Sequence, residues 1–140
     1  MLTILTNALQ IALVLSEKPS IDVIVLGGNL MTSSQSCAGS AAEQMVDQTH
    51  VDTAYISCRG LDAERGPSEA TEDHAHLKRR IVACADEVCL LADASKSGVS
   101  SSFFFAKPAD IDLWITDRAP KKSIKTALIA SGMRIQVASK

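Results

Sequence analysis

The chain has 140 residues, a formal net charge of −2, 46% hydrophobic residues and only 4% aromatic ones. That length suffices for one domain with a real core, and the aliphatic bias suits a parallel sheet flanked by helices better than an aromatic-rich β-sandwich. The charge leaves no basic surface for nucleic acid or acidic lipid, so the chain by itself is not expected to bind DNA.

Leu2 to Thr6 reads as a strand, and Leu9, Leu13 and Leu15 mark a helix ending near Lys18-Pro19. This apolar opening lacks a basic leader and is interrupted by Thr, Asn and Gln. It therefore reads as neither a clean signal peptide nor a membrane span, which needs about 18 or more apolar residues in a row. Asp22 to Leu26 is a continuous apolar run broken by Gly27-Gly28, and a polar stretch then leads to a helix from about Ala41 to Thr49. The third strand is VDTAYIS, followed by a loop from Arg59 to roughly Glu69 that carries Gly60, Gly66 and Pro67. Glu72 to Ala85 has helical periodicity, and Val88 to Ala92, Asp112 to Thr116 and Arg134 to Ala138 read as strands. Between the last two, a helix from Lys121 to Ser131 stops at Gly132. Repeated strand-helix alternation with apolar central strands predicts one α/β domain over residues 1–140, an open and mostly parallel sheet with flanking helices.

Cys37, Cys58, Cys84 and Cys89 form no CxxC pair and no zinc-ligand spacing. Reduced thiols in a cytoplasmic protein are the expectation.

Open α/β sheets bind ligands beyond the carboxyl ends of their strands. The residues there are Thr6-Asn7, Gly27-Gly28, Ser57 through Gly60, Asp93 through Lys96, and Thr116-Asp117. Helix starts after Asn7 and Ser40 would favour an anion, and Lys96 adds a full positive charge. Together they suggest a small polar, phosphorylated ligand. Each feature also has a plain structural reading. Asn7 can cap a helix, Gly27-Gly28 lacks a GxGxxG pattern, and Asp93 to Lys96 can be a solvated turn. Asp62 and Glu64 can be acid/base carboxylates or simply loop residues. His74 and His76, two apart on a helix, make a poor metal pair. Ser100 to Ser102 lack a nucleophile-elbow setting, and Phe103 to Phe105 fit either a core plug or a subunit contact. No complete catalytic constellation, metal site or cofactor motif is present in this reading.

The collinear series LTILTNALQIALVL, DVIVLGGNL, CAGSAAEQMVDQTHVDTAYISCRGLDAERG, LKRRIVACADEVCLLADASKSG and ADIDLWITD closely resembles the C-terminal effector-sensing domain of the DeoR family of bacterial sugar-metabolism repressors. The resemblance runs across essentially the whole chain. It implies a fold similar to ribose-5-phosphate isomerase and CoA-transferase-like proteins, with a sugar phosphate lying across the strand ends. Carried over by position, Thr6, Asn7, Gly27 and Gly28 match the family's TN and GG turns. Gly60 and Asp62 match its G-[IL]-D loop, and Lys96 matches its D-x-SK lysine, while Lys78 matches a basic helix position that reads as structural.

Two departures stand out. Family members begin with a winged helix-turn-helix, a strand and a D-x-GTT phosphate loop, and this chain starts after all three. The resemblance thus implies a sensor domain truncated at its N-terminus, its operator DNA contacts belonging to an absent helix-turn-helix. Four residues before Lys78 the family usually has Glu, but here stands His74, and Arg59 stands where isomerase relatives keep an acid. Losing two carboxylates removes the pair that sugar enolisation needs, so turnover is not expected. Arg59 can instead give bidentate contact to an anion. The expected role is a homo-oligomeric repressor's sensor for a phosphorylated sugar, with Asn7 and Asp62 contacting hydroxyls. The alternatives are a sugar-phosphate isomerase-like enzyme, with Asp62 or Asp93 as base, and an oligomerisation module with a vestigial pocket.

Overall fold

The structure, a computed structural model, describes residues 1–139. The chain forms two compact units, Met1–Thr49 and His50–Lys140.

In the first unit, strand β1 (Leu2–Thr6) leads into helix α1 (Leu9–Ser16) and strand β2 (Ile21–Val25). β1 and β2 pair in parallel, Leu2 beside Ile21 and Thr6 beside Val25. The stretch expected to be merely polar forms an antiparallel hairpin of β3 (Asn29–Met31) and β4 (Ser36–Ala38), and helix α2 (Ser40–Asp47) follows. Leu26, Ala38, Ala42 and Val46 are buried. α1 buries none of its residues, leaving Ile11, Leu13 and Val14 at least half exposed.

The second unit is built on a four-stranded, all-parallel sheet ordered β11-β10-β8-β5, comprising β5 (Val51–Ile56), β8 (Ala85–Leu91), β10 (Leu113–Thr116) and β11 (Arg134–Val137). β8 lies inside the sheet, so Val88, Cys89 and Leu90 are all buried and the sequence there is a continuous apolar run. Between β5 and β8 the chain makes strands β6 (Gly60–Asp62) and β7 (Gly66–Glu69) and helix α3 (Glu72–Cys84). β6, β7 and β9 (Phe103–Phe104) form a separate antiparallel sheet.

Thr71 caps α3 by accepting a hydrogen bond from the His74 amide through Oγ1, and Glu72 and Asp73 in the first turn complement the helix dipole. Helix α4 (Lys122–Ala130) ends at Gly132, whose φ of +101° a side chain would strain. The core joins Ile56, Leu61, Leu90, Phe105, Trp114 and Leu128. Of the three phenylalanines, Phe105 plugs this core, while Phe103 and Phe104 extend the β7 edge. All four cysteines are free thiols. Among the described residues no helix is long and apolar enough to cross a membrane.

Candidate functional site

In the second unit, Asp93 to Gly98 follows β8 as a short 3-10 turn held from three sides. Asp93 accepts the Ser95 amide through Oδ1 at 2.8 Å, and Asp117, just beyond β10, accepts the Ala94 amide at 2.7 Å. The Gly98 amide donates to the Leu61 carbonyl at 2.9 Å. Hydrogen bonds from Ser95 hold Asp93 below the usual carboxylate range, and the bond from the Ala94 amide does the same for Asp117. Both acids are thereby committed to shaping the turn. Lys96, half-buried in the same turn, makes no direct ion pair with a described residue, and its charge acts on Asp93 only from a distance. Next to it, Ser97 Oγ is sealed from solvent with no hydrogen-bond partner among the described residues.

Lys78 on α3 has the opposite character. Its Nζ donates to the Ser57 carbonyl at 2.6 Å, to Ser57 Oγ at 3.4 Å and to Glu69 Oε1, using all three of its protons. It also lies 5.5 Å from the centre of the Phe105 ring. The Glu69 side chain is only 7% exposed, against 17% for Lys78. Cys58, between Ser57 and Arg59, has its thiol pushed up to about 12 by burial, with the charges of Lys78, Glu69, Lys96 and Asp93 also acting on it. That thiol stays protonated and is no nucleophile at neutral pH.

The other residues singled out in this unit take defined places. Gly60 is buried so tightly that a Cβ there would lie 2.3 Å from the Val99 carbonyl oxygen, which gives it a packing reason to be glycine. Asp62 accepts the Glu64 and Arg65 amides through Oδ1 and the Ser100 hydroxyl through Oδ2. Those bonds, the Arg65 amide foremost, lower its pKa. Asp62 is therefore spent on closing the β6–β7 turn. The Arg59 side chain is exposed, while its amide donates to the Ser68 carbonyl at 2.9 Å.

In the first unit, Thr6, Asn7, Gly27 and Gly28 gather at the adjacent ends of β1 and β2. Thr6 Oγ1 accepts the Ala8 amide at 3.1 Å, and Asn7 Nδ2 donates to the Cys37 carbonyl at 3.0 Å. Asn7 thus pins β4 rather than capping α1, whose N-cap is Ala8. The α1 start is partly satisfied already, since the Leu9 amide donates to the Gln35 carbonyl. Gly28, at φ +114°, packs against the Ala38 carbonyl, where a Cβ would come within 2.5 Å. The Gly27 amide points at Met45 Sδ, 3.3 Å away.

The family model of the DeoR C-terminal sensor domain matches residues 1–118. The chain belongs to the DeoR family. Among relatives, it is 39% identical over 83% of its length to the uncharacterized HTH-type transcriptional regulator YulB of Bacillus subtilis. It is 36% identical over 96% of its length to the HTH-type transcriptional repressor GlcR of the same species. It is 30% identical over 94% to a putative aga operon transcriptional repressor of Escherichia coli O157:H7. The chain spans 45%, 52% and 49% of those three proteins, about half of each. The DeoR-family relatives are regulators of transcription, and the matched domain is a sensor rather than an enzyme. The local chemistry agrees with this. Asp62 and Asp93 hold their protons more weakly than ordinary carboxylates, which makes them poor general bases near neutral pH.

Glu69 escaped the sequence reading. It falls at the end of what looked like a loop, nine residues before Lys78, and only the β7 strand brings it to α3. With His74 turned to Thr71, Oγ1 to Nδ1 at 3.0 Å, Glu69 supplies Lys78 with the acid that position 74 lacks.

Proposed function

We propose that this DeoR-family domain senses a phosphorylated sugar for a cytoplasmic, homo-oligomeric repressor that contacts operator DNA through a helix-turn-helix lying outside these 140 residues. The observation that carries the reading is Lys96. It is a cation in no direct ion pair with a described carboxylate, held at the strand ends by a turn that Asp93 and Asp117 splint. A phosphate dianion satisfies such a group, and Arg59 supplies a second exposed positive charge from the end of β5. The effector acts by preferring one of two arrangements of the repressor, so its differential affinity sets the change in operator binding.

The test is a thermal-shift and calorimetric screen of pentose and hexose phosphates against the purified protein, in parallel with their unphosphorylated sugars. A phosphate ester that binds is expected to lose about tenfold or more in affinity on Lys96→Ala, with little change in the ligand-free melting temperature. A screen in which no sugar phosphate stabilises the protein refutes the reading. A bound sugar phosphate indifferent to Lys96→Ala removes that residue from it.

A further inference from the structure

We infer that Glu69 is the residue that reads a hydroxyl group of the effector, an inference that rests on the sugar-phosphate reading above. Its carboxylate is among the few buried charges of the chain, at 6% residue exposure. Burying a carboxylate costs far more than burying an apolar side chain of the same size, and a Lys–Glu pair usually just offsets that cost. A stabilising role alone thus gives little reason for an acid here. The geometry gives a better one. Lys78 takes Oε1, and no described residue donates to Oε2. Oε2 is also not among the fully sealed, partnerless atoms, in a side chain that is 7% exposed. The result is a buried carboxylate fixed by one oxygen, with hydrogen-bonding capacity left on the other.

Its place in the fold sets Glu69 beside the proposed site. Gly60 faces Ser68 across the β6–β7 ladder, so the next position sets Arg59 opposite Glu69. Leu61 bridges to Ser97 on the other side of β6, so the preceding pair sets Gly60 beside Lys96. Glu69, Arg59 and Lys96 therefore sit on three neighbouring chain segments. Lys78, with every proton engaged, has nothing left for a ligand and serves to aim Glu69. An anion goes to Lys96 and Arg59, and a hydrogen-bond donor goes to Glu69. A sugar phosphate carries both groups on one small molecule.

The experiment measures binding of hexose 6-phosphates and of their singly deoxygenated counterparts to the protein, to Glu69→Gln and to the double variant Glu69→Leu/Lys78→Met. The double variant removes both charges together, so it keeps the site foldable if the single change does not. The protein is expected to prefer one hydroxylated ligand over its deoxy counterpart by about tenfold or more, as a hydrogen bond to a charged acceptor implies. The double variant should bind both equally, and Glu69→Gln should narrow the gap. An unchanged preference in folded variants overturns the role of Glu69 while leaving the phosphate reading intact. So does a protein that binds sugar phosphates with no deoxy discrimination at all. If no phosphate ester binds the protein, the effector reading fails first and the Glu69 assignment falls with it.

Discussion

Lys78 and Glu69 make the strongest stability prediction, because their burial is unequal and their surroundings are defined. Replacing Lys78 with Met leaves a carboxylate with only 7% of its side chain exposed and without its direct ion-pair partner. Breaking a buried pair this way costs about 3–5 kcal/mol. Lys78, more exposed and seated beside Phe105, swings to water more easily, so Glu69→Leu is expected to cost less, about 2 kcal/mol. The double change Glu69→Leu/Lys78→Met strands no charge and should lie within about 1 kcal/mol of the parent protein. Ser57, which loses its Lys78 contact, is exposed and exchanges that bond for water. For a chain of this length each kcal/mol moves the melting temperature by about 4 °C, so Lys78→Met should melt at least about 10 °C lower. Urea titration of all four proteins gives the coupling directly as a double-mutant cycle. A coupling below about 0.5 kcal/mol, with the double variant as unstable as the two single changes added together, refutes the claim that the two charges depend on each other.

Burial raises the Cys58 thiol to about 12 from an ordinary value of 9.0, so the folded state keeps a proton that the unfolded chain gives up. The associated stability is complete below pH 9 and should decline above it by about 1.4 kcal/mol per pH unit, a contribution that Cys58→Ala removes from alkaline melts, leaving that of Cys89, whose thiol burial also raises. The depressed pKa values of Asp62, Asp93 and Asp117 have the opposite sense. Their contribution is present above the ordinary value of 3.8 and is lost as pH falls through the lowered ones, so a protein carrying all three as Asn should show a flatter acid limb. Thr71→Ala removes the cap of α3 and should cost about 1 kcal/mol in chemical denaturation. Gly60→Ala drives a Cβ against the Val99 carbonyl and should cost about 1–3 kcal/mol while displacing the segment that follows Lys96, visible as changed amide shifts at Gly98.

Strands that carry their own apolar pattern were legible from sequence. Leu2 to Thr6 forms β1 as read, and the run after Val88 lies inside the sheet, where Val88, Cys89 and Leu90 are buried. β8 begins earlier, at Ala85, since α3 ends at Cys84 and enters the strand without a connecting loop. The stretch from Arg59 to Glu69 looked like a loop because Gly66 and Pro67 are poor strand formers in isolation. The structure makes it a hairpin, with Pro67 opposite Leu61 and Ser68 Oγ accepting the Ser101 amide. At the site, the lysine of the Asp93 turn was visible from its place after a strand. What each acid does there was not, because Asp117 and Glu69 act through contacts 23 and 9 residues away in sequence.

Trp114, the chain's single tryptophan, is fully buried and donates from Nε1 to the Ala92 carbonyl at 2.8 Å. Ala92 is the last residue before the Asp93 turn, so the indole is wired to the backbone that carries Lys96. The protein therefore holds a built-in optical probe. Any event that tugs on the turn alters the polarity at one fluorophore with no competing emitter of its kind, and effector engagement can be followed by stopped-flow emission without a label.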